Sequence, residues 1–383
     1  MTDVQGKVEA GFRAVADAFA ANFAEYGEVG AACCVYVEGR RVVDLWGGVA
    51  SPDSGREWEA DTPVIVFSST KGATTVCVHL LAQRGALDLD APIASYWPDF
   101  AAEGKGAVPL RWALSHRAGV PAVDAPVTLD DVLGWDRVAA AVAAQQPEWE
   151  PGSAHGYHAR SFGWILGEVV RRVTGRSIGR FFAEEVTGPL GLDWWIGLPP
   201  AVEPRIATIL GPEPPADPAV RELMDQMMGP GTLLGRVMSG PSGLFAYDDR
   251  WNTRPFLAAE MPSSNGVASA RAMAHMYAAT IGEVDGVRLL DTATVDLARS
   301  VQSDDIDRVL GVPTRFGLGF ALTPVLGSSC SPSAFGHPGA GGSLGFADPE
   351  RGVAFGYVMN RMKLGIAGDE RSDCLVRAVY ESL

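Results

Sequence analysis

The sequence predicts an α+β fold in which helices flank an antiparallel sheet and a mostly helical second lobe lies beside it. Alternating apolar segments occur near both ends of the chain, and helical patterns dominate its middle. The length of 383 residues exceeds the roughly 250–300 at which a single hydrophobic core stops growing. We therefore expect a discontinuous α/β domain over residues 1–75 and 265–383, and a mostly helical domain with a long loop region over residues 76–264.

The first part of the chain predicts a helix and a hairpin. Residues 7–26 carry apolar side chains at helical spacing and end at glycines, which indicates a helix. Residues 31–37 and 40–46 are largely apolar and lie on either side of a turn at Glu38 and Gly39, which indicates a β-hairpin.

The middle of the chain predicts helices over residues 70–84 and 162–173, with a loop and short turn over 87–97. Residues 190–265 repeat Pro and Gly, and a loop-rich stretch of that length is usually functional or disordered. The last part predicts three strands and a terminal helix, over residues 316–322, 343–347, 352–359 and 369–383.

The composition excludes several classes of protein. A formal net charge of −15, with no run of basic residues longer than two, argues against a nucleic-acid partner. The sequence shows no signal-like N-terminus and no long apolar run, so we expect a cytoplasmic protein that does not bind a membrane. The five cysteines lack metal-site spacing and predict reduced thiols. Glycine motifs typical of nucleotide binding are missing, so we expect no cofactor.

The strongest local signal is Phe67-Ser68-Ser69-Thr70-Lys71, which follows an apolar extended run and opens a predicted helix. Only four lysines occur in the chain, so a lysine three residues after a serine is informative. At that spacing the two side chains lie on one face of a helix, one turn apart. A lysine whose pKa is lowered can take the proton of a serine hydroxyl, and a helix N-terminus favours developing negative charge. Ser68 is therefore a candidate nucleophile with Lys71 beside it.

A second polar group follows a Pro-Gly turn and contains His155, Tyr157 and His158, just before the helix predicted over 162–173. A phenol between a lysine and a leaving oxygen can act as base and then as acid, although Tyr157 taken by itself is better explained as a core residue with a satisfied hydroxyl. The two histidines suggest a metal pair at first sight. No third ligand lies at suitable spacing, so we expect them to form pocket walls or to support the residues that do, and we expect no metal.

A rival nucleophile is Ser343, in a stretch that matches GxSxG. A nucleophile elbow requires a strand, a sharp turn and then a helix, whereas Ser343 leads into a predicted hairpin. No histidine follows it in the chain, so the order of a Ser-acid-His triad is not available. We expect Ser343 to be uninvolved.

Taken in order, these motifs resemble the serine β-lactamase and penicillin-binding-protein superfamily, most of all the class C β-lactamases and family VIII carboxylesterases. The resemblance rests on the SxxK motif at Ser68, the Tyr157 motif about 85 residues later, and Gly336-His337-Pro338-Gly339-Ala340 near the C-terminus. Three further stretches also resemble sequences of this family: GALDLDAPI, ALSHRAG and PSSNGVAS, at residues 85–93, 113–119 and 262–269. The resemblance implies a β-lactamase-like fold.

The resemblance also implies roles for the candidate residues. Ser68 would be the acylated nucleophile, Lys71 would share its proton, and Tyr157 would relay protons to the leaving group; the division of the base role between Lys71 and Tyr157 stays open. The His337 motif would lie on an edge strand beside the nucleophile. Backbone N–H groups of Ser68 and Ala340 would form the oxyanion hole.

The departures from the family pattern indicate the substrate. The β-lactamases carry Tyr-x-Asn and Lys-Thr-Gly where this chain has Tyr157-His158-Ala159 and a His-Pro-Gly, so an amide and a lysine that grip a β-lactam are missing. A neutral ester needs neither group. We predict a serine carboxylesterase that hydrolyses small or short-acyl esters, with His337, Gly339 and His158 contacting the substrate.

Other functions of the same fold remain alternatives. They are a β-lactamase, a D-aminopeptidase or amide hydrolase, and an acyltransferase; a scaffold that binds peptidoglycan-like ligands without turnover is the alternative outside enzymes. The expected partners are a small-molecule ester and, in a homodimer, a second copy of the chain.

Overall fold

The computed structural model describes residues 3–240, 243–365 and 369–383. Thirteen strands and fifteen α-helices are formed by these residues, together with 3-10 segments and one π-helical turn at Ala183–Thr187. The strands are β1 (Val4–Val8), β2 (Gly30–Val37), β3 (Arg40–Ser51), β4 (Arg56–Glu57), β5 (Val64–Ile65), β6 (Trp194–Trp195), β7 (Val267–Ala268), β8 (Ser303–Ile306), β9 (Pro313–Phe316), β10 (Ala321–Leu322), β11 (Phe335–Pro338), β12 (Leu344–Asp348) and β13 (Val353–Met359).

The fifteen α-helices include long ones, which pack against other elements, and short ones, which lie in connections. They are α1 (Arg13–Glu25), α2 (Thr70–Gln83), α3 (Ile93–Tyr96), α4 (Leu110–Leu114), α5 (Leu129–Gly134), α6 (Asp136–Ala144), α7 (Ser161–Thr174), α8 (Ile178–Phe182), α9 (Gly188–Leu190), α10 (Pro218–Met227), α11 (Leu233–Ser239), α12 (Arg254–Ala258), α13 (Ala270–Ile281), α14 (Thr292–Ala298) and α15 (Glu370–Glu381).

The main sheet is antiparallel and follows the order β1-β3-β2-β13-β12-β11-β10-β9-β8, with β4 paired to β3. A small second sheet has the order β5-β7-β6. Helices cover both faces of the main sheet: α13 packs on β2, β12 and β13, and α1 with α15 lies on the other face. The predicted α+β arrangement, with an antiparallel sheet flanked by helices, is confirmed.

Strand β2 shows how one segment serves two cores. Successive side chains of a strand point to opposite faces. Cys33 and Val35 belong to the apolar cluster that contains Phe19 of α1, whereas Cys34 belongs to the cluster that contains Met273 of α13. All five cysteines are free thiols.

The structure corrects three local predictions. The helix predicted from residue 7 begins at Arg13, because residues 4–8 instead pair with β3 as an edge strand. The strand predicted over 316–322 is two strands, since Gly317 to Gly319 form a turn with Gly319 at φ +91°. The loop-rich region also contains α10, α11, α12 and the short strand β6. Among the described residues, no helix combines the length and hydropathy that a bilayer crossing requires.

Candidate active site

Ser68 lies on the 3-10 turn Phe67–Ser69 that joins β5 to the N-terminus of α2. The preceding residue, Phe67, has a positive φ of +43°, which is strained for a bulky side chain. Its ring is held edge-on by Tyr247 and Trp251, each 5.2 Å away between centroids. The turn therefore presents a half-buried Ser68 hydroxyl in a conformation that the surrounding aromatic packing maintains.

Lys71 is fully buried one turn further along α2. Its Nζ lies 3.3 Å from Ser68 Oγ, and it donates to the carbonyl oxygens of Ala159 at 2.8 Å and Ser263 at 3.1 Å. Burial, and second the positive charge of Arg160, lower the pKa of Lys71 well below its usual value. An amine without its extra proton can accept a proton from Ser68.

Tyr157 completes the group. Its ring centroid lies 4.8 Å from Lys71 Nζ, and its backbone N–H donates to Asp307 Oδ1 at 3.0 Å. Burial raises the pKa of Tyr157, an effect that a hydrogen bond with Ser68 only partly offsets. The structure thus brings together Ser68, Lys71 and Tyr157, with the phenol protonated near neutral pH.

The turn after β11, residues 339–343, lies against the Ser68 turn, Phe67–Ser69. Ser69 Oγ donates to the His337 carbonyl oxygen at 3.1 Å, and Gly339 approaches so closely that a Cβ there would stand 2.2 Å from the Val66 carbonyl oxygen. Only glycine fits this approach. Strand β11 is not at the sheet edge, which corrects the expectation, although β10 pairs only with its first two residues.

These two turns contribute residues to a common cavity. Ser68 and Ala340 both line it, and neither N–H donates to any acceptor in the described part of the chain. The N–H of Gly339, by contrast, is bonded to the Ser343 carbonyl oxygen at 2.7 Å. The first two groups are therefore available to an oxygen that develops negative charge, and Gly339 is not a free donor.

The predicted histidines occupy different positions. His337 lines the cavity; its Nδ1 donates to the Pro338 carbonyl oxygen at 2.7 Å, and its Nε2 has no partner among the described residues. Burial and the charge of Lys71 lower the pKa of His337 to about 3, so the ring is neutral.

His158 corrects the expectation of a substrate contact. It is fully buried, its Nε2 accepts from the Val120 N–H at 3.0 Å, and its Nδ1 donates to the Gly156 carbonyl oxygen at 2.6 Å. Both ring nitrogens are occupied, and the ring does not line the cavity. His155 bonds to Thr314 instead, and no cluster suited to a metal ion occurs among residues 3–240, 243–365 and 369–383.

Ser343 is buried and cannot act as an elbow nucleophile in this conformation. Its Oγ donates to the Val66 carbonyl oxygen at 2.9 Å and lies 3.1 Å from Ser69 Oγ. It precedes strand β12 and not a helix. Its hydroxyl ties the turn after β11 to the Ser68 turn.

Two residues that support the site were missed by sequence reasoning. Arg160 is buried beside Lys71 and donates to the Met238 carbonyl oxygen at 3.0 Å. Asp307 is buried and accepts the N–H of Tyr157 as well as those of Val309 and Leu310. The position of Arg160 three residues after Tyr157 was the one available signal, and Asp307 lies 150 residues away and gave none.

The cavity over Ser68 has a volume of about 120 Å³ and a mainly apolar wall. None of the described residues that line it carries a charge at neutral pH. They are Ser68, Tyr157, Met238, Tyr247, Leu310, Val312, Pro313, Thr314, Phe316, Pro324, Val325, His337, Pro338, Ala340 and Gly365.

Comparison with known proteins gives consistent matches over nearly the whole chain. Residues 15–373 match the Beta-lactamase family. The esterase/beta-lactamase LipL of Mycobacterium tuberculosis H37Rv is 40% identical over 375 residues, covering 94% of this chain and 83% of that protein. The crystal structure of a family VIII carboxylesterase is similar with a TM-score of 0.88 and 39% identity, and a penicillin-binding-protein homologue from Caulobacter crescentus with a TM-score of 0.88 and 35% identity; both chains are covered completely in each case.

Proposed function

The chain belongs to the Beta-lactamase family, and from this premise we propose that it is a serine carboxylesterase that hydrolyses small or short-acyl neutral esters through an acyl-enzyme on Ser68. The observation that carries the proposal is the 3.3 Å contact between Lys71 Nζ and Ser68 Oγ beneath a cavity without charged walls.

In the proposed acylation step, neutral Lys71 takes the proton of Ser68, and Oγ attacks the ester carbonyl carbon. The carbonyl oxygen becomes negative and accepts the N–H groups of Ser68 and Ala340. The C–O bond to the alcohol then breaks, and the leaving oxygen takes the hydroxyl proton of Tyr157, which regains a proton from Lys71. Each proton is therefore returned and the acyl group stays on Ser68.

Deacylation reverses these roles with water as the nucleophile. Lys71 accepts a proton from water, directly or through the Tyr157 hydroxyl, which gives its own proton to Lys71 as it takes one from water; the water oxygen attacks the acyl carbon, and Ser68 Oγ leaves with the proton that Lys71 returns. The opposite pKa shifts of Lys71 and Tyr157 favour the lysine as the resting base, because the lowered pKa favours the proton-accepting form of the amine and the raised pKa keeps the proton on the phenol.

The cavity favours a neutral ester over a β-lactam. A β-lactam carries a carboxylate, and the neutral His337 ring offers it no positive charge. Ala159 has no side-chain amide, and its carbonyl oxygen is already bonded to Lys71. The apolar residues Met238, Leu310 and Phe316 would instead surround an acyl or alcohol group.

A substrate panel with two serine variants tests the proposal. We expect turnover of p-nitrophenyl acetate with a kcat/KM well above those for nitrocefin and D-amino-acid amides. Ser68→Ala should reduce ester hydrolysis to background, while Ser343→Ala, which removes a hydrogen bond between the two turns but not the nucleophile, should still turn over the ester and be labelled on Ser68. Faster turnover of nitrocefin would overturn the substrate assignment, and a fully active Ser68→Ala would overturn the mechanism.

A further inference from the structure

Two stretches of the loop-rich region contribute to the wall of the cavity over Ser68. The first is α11, which supplies Met238, and the second is residues 243–252, which supply Tyr247. Both residues are half-buried and line the cavity. We call Met238 and Tyr247 the loop wall. Neither stretch carries a residue of the proposed reaction, so their position has to be fixed from outside them.

Arg160 contacts both stretches with one nitrogen. The residue is only 6% exposed, and its Nη2 donates to the Met238 carbonyl oxygen at 3.0 Å. The same nitrogen lies 3.5 Å from the Phe245 carbonyl oxygen and 3.4 Å from the Tyr247 hydroxyl. A planar guanidinium presents its N–H groups in a fixed geometry, so these three acceptors are held relative to one another.

The same guanidinium is packed among aromatic rings of the second stretch. Its carbon lies 5.2 Å from the ring centre of Phe245, 5.7 Å from that of Tyr247 and 5.3 Å from that of Trp251. A cation this close to a ring face is attracted to it. The side chain of Arg160 therefore holds the second stretch by ring contacts as well as by hydrogen bonds.

The main chain at Arg160 belongs to the catalytic side of the cavity. Its carbonyl oxygen accepts the Ser263 hydroxyl at 3.0 Å. The carbonyl oxygens of Ser263 and of Ala159, the residue before Arg160, are the two that bind Lys71 Nζ. Arg160 thus connects the loop wall to the backbone groups that hold the catalytic lysine.

The position of the loop wall indicates which part of the ester it meets, a step that rests on the proposed function. Tyr157 gives its proton to the leaving oxygen, so the alcohol lies on its side of the cavity. The cavity-lining rings beside Tyr157 are Phe316 at 6.2 Å and His337 at 6.0 Å. The ring of Tyr247 instead packs 5.2 Å from Phe67, next to the nucleophile. The loop wall is therefore left for the acyl group.

We propose that Arg160 determines the length of acyl chain that the enzyme accepts, by holding the loop wall against the cavity over Ser68. Arg160 does not line this cavity, so it is a positioning residue that acts through Met238 and Tyr247. The cavity is only about 120 Å³, so a small displacement of either side chain changes the available room. Release of the loop wall would admit longer acyl chains and remove contacts from short ones.

A series of p-nitrophenyl esters from acetate to octanoate tests the proposal on two variants. Arg160→Lys and Arg160→Met should each raise the ratio of kcat/KM for octanoate to that for acetate about tenfold, mainly through KM, because one methylene in an apolar pocket changes kcat/KM by about that factor. Met238→Ala should raise the ratio in the same direction, since it deletes part of the loop wall and keeps the carbonyl that Arg160 binds.

Arg176→Met is the matched control. Arg176 is also stacked on an aromatic ring, 4.6 Å from the ring centre of Phe181, but it contacts neither stretch of the loop wall and does not line the cavity. Its ratio should equal that of wild type. If Arg160→Met does not fold, Arg160→Lys, which keeps the positive charge, carries the test.

The pH profile of kcat/KM separates the charge of Arg160 from its shape. That charge, second to burial, lowers the pKa of Lys71, so Arg160→Met should move the midpoint to higher pH and Arg160→Lys should leave it near the wild-type value. The other titratable groups around Lys71 keep their state near neutral pH in both variants. They are uncharged, and they are Tyr157, His116, His158 and His337.

Three results would overturn the proposal. One is an unchanged acyl-length ratio in both folded Arg160 variants, and another is the same change in Arg176→Met. The third is a change confined to a series of acetate esters with different alcohols, which would place the loop wall beside the leaving group. Ester hydrolysis by wild type tests the proposed function separately, because it does not depend on which chain length is preferred.

Discussion

Lys71 holds its side-chain nitrogen 3.3 Å from the Ser68 hydroxyl oxygen while two carbonyl oxygens, of Ala159 and Ser263, bind it from other directions. A neutral amine has two N–H bonds and one lone pair. When the carbonyl oxygens take the two N–H bonds, the lone pair is left for the serine. The contacts of Lys71 thus accommodate the neutral amine that its lowered pKa favours.

Replacing Lys71 should remove the base. We expect Lys71→Met to lower kcat/KM for p-nitrophenyl acetate by about 10²–10⁴-fold, the range for a positioned base, and Lys71→Arg to lower it similarly because a guanidinium does not lose its proton. Lys105→Met is the control, since Lys105 is also buried and bonded to carbonyl oxygens but lies outside the site. It should lose stability but keep its activity per folded molecule.

The pH profile checks the same residue. Because burial and Arg160 lower the pKa of Lys71, kcat/KM should rise to a plateau with a midpoint well below 10.5, the ordinary value for lysine. This rise of kcat/KM with pH should disappear in Lys71→Met. An unchanged rise in that variant would assign the titration to another group.

Asp307 should position Tyr157 and one wall of the cavity. Asp307→Ala leaves the N–H groups of Tyr157, Val309 and Leu310 unpaired, so the free energy of unfolding should fall by about 3 kcal/mol. Displacement of Tyr157 should lower kcat about 10- to 100-fold, with a smaller change in KM. Asp307→Asn, which keeps an acceptor oxygen, should retain most of the unfolding free energy and most of kcat. Asp305→Ala, at an exposed position, is the control and should match wild type. Full activity of Asp307→Ala would contradict the positioning role.

Gly339 should tolerate no side chain. An alanine Cβ would stand 2.2 Å from both the Val66 carbonyl oxygen and Ser343 Oγ, so Gly339→Ala must separate the two turns that carry the Ser68 and Ala340 N–H groups. We expect a loss of about 10²–10³-fold in kcat, as for a lost oxyanion donor. Gly106→Ala is the control, because its nearest neighbour would be 3.6 Å away. Comparable kinetics for the two variants would refute the argument.

A buried charge network beneath the turn that follows β11 should make stability depend on pH. Arg371 donates to Glu28 at 3.0 Å, to Asp369 at 2.8 Å and to the Gly341 carbonyl oxygen at 2.6 Å. Burial, opposed by Arg371, raises the pKa of Glu28 to about 7 from 4.5, so the folded state holds this proton more tightly than the unfolded state.

The stability from that proton is complete below pH 4.5 and is lost as pH rises through about 7. Between pH 5.5 and 8, wild type should therefore lose about 2 kcal/mol of unfolding free energy relative to Glu28→Gln, which does not titrate. Denaturant unfolding of both proteins measures this difference. Parallel pH curves would show that Glu28 stays in one protonation state.

The sequence predicted what local patterns determine. The β2–β3 hairpin, helices α2 and α7, and the approach of Lys71 to Ser68 follow from alternation, periodicity and a three-residue spacing, all of which act within one or two elements. Edge strand β1 was missed because its backbone pairing to β3 leaves most of its side chains exposed and without a clear pattern.

The supporting residues could not be predicted because tertiary packing brings them to the site. Arg160 reaches the segment at Met238 and Phe245, and Asp307 reaches Tyr157, across distances in sequence that no motif spans. The sequence analysis predicts that His158 contacts the substrate, yet its ring points to Val120 and Gly156. Adjacency in sequence does not fix which side of a loop faces the cavity.

The acyl-enzyme itself is the most direct test of the account. Wild type, Ser68→Ala and Ser343→Ala would each be mixed with a fluorophosphonate or quenched during p-nitrophenyl acetate turnover, then analysed by intact mass and peptide mapping. The account predicts one adduct per chain on the peptide that contains Ser68, in wild type and Ser343→Ala, and none in Ser68→Ala. An adduct on another residue, or ester hydrolysis that persists in Ser68→Ala, would contradict it.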